Sequence, residues 1–256
     1  VACAAHRALI FPAPRPQLPT AAPGLRILAP ADHSASALCA VAADVDAPLV
    51  VFFHGNAEQI ADYARPALDM ARRGIGFCAV EYPGYGALSA MHPSEVGVYQ
   101  SATVALDWVE RELHVDRSRI TLAGWSLGSG VAVEMAVRHR GSRVLLLSPY
   151  TSLTHVAQRI AVILPMRLIM SDHFDSLDKM QNILVPVLVV HGRRDHLIPA
   201  EMGSALAHRA PNGRYVELQQ RAHNDVISVL FNEASSTVEP DYDAARVAVE
   251  RFIRAR

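Results

Sequence analysis

Ile120-Thr121-Leu122-Ala123-Gly124-Trp125-Ser126-Leu127-Gly128-Ser129-Gly130 runs from an apolar stretch through a Gly-x-Ser-x-Gly pentapeptide into a helix-compatible segment that reaches Arg138. The order reads as strand, sharp turn, helix, with Ser126 at the apex. A serine there must adopt a strained backbone, so the residues two before and two after it must lack bulk. Gly124 and Gly128 meet that need, and Gly130 lets the helix approach closely. Such a turn pushes the Ser126 hydroxyl into the open, within reach of a base. The pentapeptide alone can be ordinary loop composition; the strand before it and the helix after it are what favour a nucleophile over a structural turn.

Working outward, strand and helix signals alternate. Residues 25–28 and 35–41 suggest an opening antiparallel pair around Asp32-His33-Ser34. Leu49-Val50-Val51-Phe52-Phe53 is a continuous apolar run, as expected of a strand buried on both faces; it ends in His54-Gly55-Asn56, and residues 57–73 read as an amphipathic helix stopped by Gly74. The cycle repeats with a strand over 76–82, the loop Pro83-Gly84-Tyr85-Gly86 and a helix over 94–113. After Ser126 come a helix, a strand over 144–147 and a strand over 185–190, where Pro186 is tolerable because it sits at the beginning. A helix over 201–209, a strand over 215–218 and a closing helix over 242–254 follow. Repeated βα units predict an α/β fold, a mostly parallel central sheet with helices on both faces, whose ligands sit beyond the carboxyl ends of the strands. Residues 1–23 read as an N-terminal arm and 24–256 as one domain, since the chain length and a hydrophobic content of 51% allow one large core.

Bulk properties exclude some classes. With 24 basic and 25 acidic residues the net charge is −1, so no global field attracts nucleic acid or an anionic membrane. Three cysteines predict no required disulfide, with Cys78 as a small core residue. The apolar start of the arm reads either as the tail of a signal or anchor segment or as a packed structural arm, so membrane association is expected only through a missing N-terminal segment. No stretch is long and apolar enough to span a bilayer. The compartment is left open.

A serine hydroxyl needs a neutral imidazole to take its proton and a carboxylate to orient that imidazole. Asp195 lies on the loop leaving the strand Val187-Leu188-Val189-Val190, and the next strand runs into Arg221-Ala222-His223-Asn224-Asp225. Among the 12 histidines, His54 and His191 precede glycines at strand ends and read as turn-shaping residues; His223 is the preferred base and Asp195 the preferred acid. Glu58 reads as a helix N-terminal charge and Glu81 as a strand-end surface residue. The oxyanion needs two donors: the amide of Leu127, at the start of a helix, and one from the loop after Phe53, assigned to Asn56 with Ala57 as fallback. The alternative reading is that this loop only starts its helix, with the Asn56 side chain as cap; both can hold at once. Tyr82, Tyr85, Trp125 and Tyr150 are candidate substrate-binding walls, with core packing an equal reading. No metal or dinucleotide pattern is present, so no cofactor is expected.

With these pieces in place the chain resembles the α/β-hydrolase superfamily, and within it the minimal-cap serine hydrolases whose better-known members are membrane-associated protein depalmitoylases. The residues that carry the resemblance are Phe52-Phe53-His54-Gly55-Asn56-Ala57, Tyr82-Pro83-Gly84-Tyr85-Gly86, Pro93-Ser94-Glu95, Gly124-Trp125-Ser126-Leu127-Gly128 and Ser148-Pro149-Tyr150-Thr151-Ser152-Leu153. His191-Gly192 with Asp195, Ile198-Pro199 and His223-Asn224-Asp225 complete it. Serine, aspartate, histidine is the triad order of that superfamily. Departures occur at Pro83, where members often have arginine, and at Ala222, where they often have glycine; these bear on the cleft walls. The resemblance implies an α/β-hydrolase fold with a minimal cap and acyl transfer to water. A carboxylesterase acting on short to medium acyl chains is the first expectation and a thioesterase or protein deacylase the second. A non-catalytic binding protein on the same scaffold is the third. The expected partner is a small-molecule or acylated substrate, with no nucleic acid.

Overall fold

In the computed structural model, residues 11–29, 34–161, 164–232 and 239–255 are described. The first ten residues of the expected arm and most of the turn at 32–34 lie outside them. Eight strands form one sheet: β1 (Arg26–Leu28), β2 (Ala37–Ala40), β3 (Leu49–Phe53), β4 (Gly76–Val80), β5 (Ile120–Trp125), β6 (Arg143–Leu147), β7 (Val187–Gly192) and β8 (Gly213–Leu218). Their spatial order is β1-β2-β4-β3-β5-β6-β7-β8. The β1–β2 and β2–β4 pairs are antiparallel and all others parallel. This is the α/β-hydrolase fold expected above.

The continuous apolar runs form strands because both sheet faces are covered. On one face Val51, Leu122 and Val189 pack with α2 (Glu95–Glu112), α3 (Leu127–Val137) and α6 (Ala200–Arg209). On the other, Val50, Phe52 and Val190 pack with α1 (Ala64–Arg72) and α8 (Pro240–Arg254). Successive side chains point to opposite faces, so one run feeds both cores. The Ser94 side chain caps α2 by accepting from the Gly97 amide.

Between β6 and β7 the described residues form two short α-helices, α4 (Leu153–Ile160) and α5 (Met166–Ile169), which make the small cap, and a 3-10 turn at Met180–Asn182. Glu95 ties the segment after α5 to the start of α2. Its carboxylate accepts from the amides of His173 at 2.8 Å and Phe174 at 3.0 Å, while its own amide donates to Asp172 at 2.6 Å. The short helix α7 (Ser228–Phe231) follows the His223 loop. The described part of the arm is mostly exposed and touches the domain at a few points: Phe11 is buried against Phe174, and the Gln17 amide donates to Gln59.

Three expectations are corrected. Cys39 and Cys78 are disulfide-bonded, not unpaired core residues, because β2 and β4 place them directly opposite with Cα atoms 4.1 Å apart. The helix after β3 does not start at residue 57. Ala57 adopts φ of +62°, and a 3-10 turn at Ile60–Tyr63, capped by Gln59 and Asp62, precedes α1. The backbone after β3 thus folds over the sheet end before any helix begins. Glu81 is no surface residue: it is fully buried against His54.

Candidate active site

Ser126 sits between β5 and α3 with φ 51° and ψ −119°, a conformation that costs a residue with a side chain about 1–3 kcal/mol. Surrounding contacts hold it there. Its amide donates to the Leu147 carbonyl at 3.0 Å, and its carbonyl accepts from both the amide and the hydroxyl of Ser129. A Cβ on Gly124 would lie 2.2 Å from the Gly128 carbonyl oxygen, and one on Gly130 2.3 Å from the Tyr150 hydroxyl. The turn therefore closes only with those side chains missing.

His223 Nε2 lies 2.9 Å from Ser126 Oγ, and His223 Nδ1 lies 2.6 Å from Asp195 Oδ2. The three groups form one line of hydrogen bonds at the carboxyl ends of β5, β7 and β8. Gly192 allows the approach, since a Cβ there would meet the Arg221 carbonyl oxygen at 2.2 Å. Two donors grip the His223 carbonyl: Trp125 Nε1 at 3.4 Å and Ser148 Oγ at 3.3 Å. The second Asp195 oxygen accepts from the amides of Leu197 at 3.0 Å and Ile198 at 2.8 Å. Burial opposes its charge, but hydrogen bonds from His191 and His223, the His223 charge and the Ile198 amide together outweigh burial and hold the Asp195 carboxyl well below the usual carboxylate range.

Leu127 opens α3, where first-turn amides have no partner within the helix. Asn56 stands across from it and lines the same cavity. Its Oδ1 accepts from the Tyr85 hydroxyl at 2.7 Å, so the side chain is anchored sideways and does not cap a helix. The loop carrying Asn56 is braced from within. The Gly55 amide donates to Glu58, which also accepts from the Tyr63 hydroxyl at 2.6 Å. Burial raises the Glu58 pKa, against the lowering effect of those bonds. Below the loop, His54 Nε2 meets Glu81 Oε1 at 3.0 Å while Nδ1 meets the Gly55 carbonyl at 2.8 Å.

A cavity of about 310 Å³ opens beside Ser126, walled by Leu153, Val156, Ala157, Met166 and Met170. Of the four aromatic residues expected as walls, only Tyr150 lines it. Tyr82 and Tyr85 are corrected to packing residues. Both are fully buried, and their hydroxyls turn inward to His54 and Asn56, because a buried phenol must find a partner. Trp125 lies under the His223 loop. His191 does shape its turn, through the Ile198 carbonyl, but sequence reasoning missed its contact with Asp195, and it missed Ser148 and Glu58 as supports. The sole signal for them was position just past strand ends, which does not say which way a side chain turns. Among the described residues no group of three or more His, Cys, Asp or Glu could hold a metal.

Residues 46–177 match the family model described as serine aminopeptidase, S33. An uncharacterized protein of Mycobacterium tuberculosis is 35% identical over 179 residues, 70% of this chain and 63% of that protein. The α/β hydrolase domain-containing protein 17C of Xenopus tropicalis is 30% identical over 181 residues, 69% of this chain and 56% of that protein. This chain thus spans less than two thirds of the length of these relatives. Among solved structures, a Pyrococcus furiosus esterase superposes with a TM-score of 0.67 at 15% identity, over 94% of this chain and 97% of that one. At that identity the likeness concerns the fold.

Proposed function

Because the chain belongs to the serine aminopeptidase S33 family of the α/β hydrolases, we propose that it is a serine hydrolase that cleaves carboxylic esters through an acyl-enzyme. The observation that carries this reading is the Ser126–His223–Asp195 line, with spacings of 2.9 and 2.6 Å, at the mouth of an apolar cavity. Ser126 Oγ attacks the ester carbonyl as His223 Nε2 takes its proton. Asp195 holds Nδ1–H and offsets the imidazolium charge that develops. The amides of Leu127 and Asn56 receive the oxyanion, and the imidazolium returns the proton to the leaving alcohol. Water repeats the attack and frees the acid.

The wall chemistry argues for an acyl group, not a peptide amino terminus. No carboxylate lines the cavity among the described residues, so nothing there would pair with an ammonium group, whereas Val156, Met166 and Met170 suit an alkyl chain. Short to medium acyl chains fit the volume. A thioester presents the same acyl group with a different leaving atom, so a thioesterase or protein deacylase is the second reading, favoured by the same apolar walls, which suit the acyl chain whichever atom leaves.

A fluorophosphonate probe followed by peptide mapping tests the chemistry: a single adduct on Ser126 is expected. Turnover of p-nitrophenyl esters compared with acyl-thioesters and acylated peptides then ranks the two readings. Absence of labelling on folded protein would overturn both.

A further inference from the structure

His191 closes β7 and is completely buried. Its Nε2 lies 3.1 Å from Asp195 Oδ2 and 2.9 Å from the Ile198 carbonyl oxygen. Both neighbours are acceptors, so Nε2 carries the proton and donates to both. Nδ1 has no hydrogen-bond partner among the described residues. A proton there would be a buried donor with nothing to receive it, which fixes the ring as neutral with a bare Nδ1. That bare edge faces Gly203 of α6, where a Cβ would stand 2.4 Å from Nδ1. The glycine leaves room for the ring.

Asp195 therefore receives four donors: two amides on one oxygen, and His191 and His223 on the other. A carboxylate has about four lone-pair directions, so its complement is full. His191 shares Oδ2 with the proposed base, and it also spans the loop from Asp195 to Ile198, which fixes the plane of the carboxylate.

We propose that His191 is a positioning residue: it donates to Asp195 Oδ2, keeps that carboxylate ionised and aimed at His223 Nδ1, and so restrains the basicity that Asp195 confers on His223. The inference rests on the Ser126–His223–Asp195 reading above. Removing this donor leaves more negative charge density for the His223 proton, so the base should hold its proton to higher pH.

The test has an arm independent of activity. In histidine-¹⁵N-labelled Ser126→Ala protein at pH 7.5, one ring should show a proton on Nε2 and a bare Nδ1, and its signals should vanish in Ser126→Ala/His191→Leu. An Nδ1-protonated or doubly protonated His191 would overturn the proposal whatever the enzyme hydrolyses. In active protein, His191→Leu should lower kcat about tenfold with KM little changed, and should move the acid limb of kcat/KM up by about half a pH unit. His191→Gln, which keeps a donor near the Nε2 position, should restore most of both. An unmoved acid limb, or equal loss in the Leu and Gln variants, would reduce His191 to packing. Gly203→Ala, which displaces the ring from outside the relay, should move the limb in the same direction, and it decides the matter if His191→Leu does not fold. Failure of Ser126→Ala to abolish turnover would instead sink the underlying functional reading, leaving the tautomer result standing.

Discussion

Gly128 and Phe53 meet backbone to backbone: a Cβ on Gly128 would lie 1.9 Å from the Phe53 carbonyl oxygen and 2.7 Å from that of His54. The first turn of α3 is thereby pressed against the end of β3, which sets Leu127 opposite the loop that carries Asn56. Gly128→Ala must separate the two elements. We expect it to cost about 3 kcal/mol of stability, as overpacking does, and to lower kcat by about 10²-fold through lost oxyanion contact. Denaturant unfolding and ester turnover check this. A fully active, equally stable variant would contradict the close approach.

Ser126 holds a backbone with φ of +51°, and its hydroxyl lies in reach of His223 Nε2. Ser126→Ala should lose at least about 10³-fold in kcat while its melting temperature stays near that of the parent. Ser126→Gly should be equally inactive yet about 1 kcal/mol more stable than Ser126→Ala, since relief of strain exceeds glycine's entropic cost. Equal stabilities for the two variants would mean the turn is not strained at that residue.

His54 and Glu81 form a fully buried pair beneath the Asn56 loop. Burial by itself lowers the His54 pKa, but its hydrogen bond to Glu81, the Glu81 charge and the Gly55 carbonyl together raise it above the ordinary 6.5. With the folded value above the unfolded one, the contribution to stability is complete below pH 6.5 and fades as pH rises through the folded value. His54→Gln should therefore cost about 3 kcal/mol near pH 6 and visibly less near pH 9. Parallel stability curves for the two proteins would refute it. Asp195 has the opposite sign. Its pKa is lowered from 3.8, so its contribution is complete above that pH and is lost as pH falls toward the folded value.

Ala157 on α4 borders the apolar cavity. Ala157→Phe should fill it and cut kcat/KM for p-nitrophenyl octanoate about tenfold or more, while the acetate ester changes by no more than about threefold. Equal losses on both esters would place the acyl chain elsewhere.

The parts of this architecture that could be read from the chain are those encoded by local pattern. Leu49-Val50-Val51-Phe52-Phe53 and Val187-Leu188-Val189-Val190 announce strands buried on both faces, because short unbroken apolar runs rich in valine and phenylalanine between turn residues suit a covered strand better than a helix. Gly124 and Gly128 around Ser126 announce the sharp turn because only glycine clears the neighbouring backbone. The aromatic residues were not readable in this way. In sequence Tyr82 and Tyr85 read equally as cleft walls or as core, and only packing shows their hydroxyls turned in to His54 and Asn56. Glu81 looks like a surface charge until His54 is seen against it.

From the chain alone come the alternation of strand and helix, the place of the serine turn, and the order of serine, aspartate and histidine along it, since these depend on neighbours within a few residues. What only the folded molecule decides is which distant groups meet. Cys39 pairs with Cys78, Glu95 receives the amides of His173 and Phe174, and His191 joins His223 on one oxygen of Asp195. Such contacts arise from sheet register and helix approach, which sum small packing preferences over the whole core and leave no mark in any short stretch of sequence.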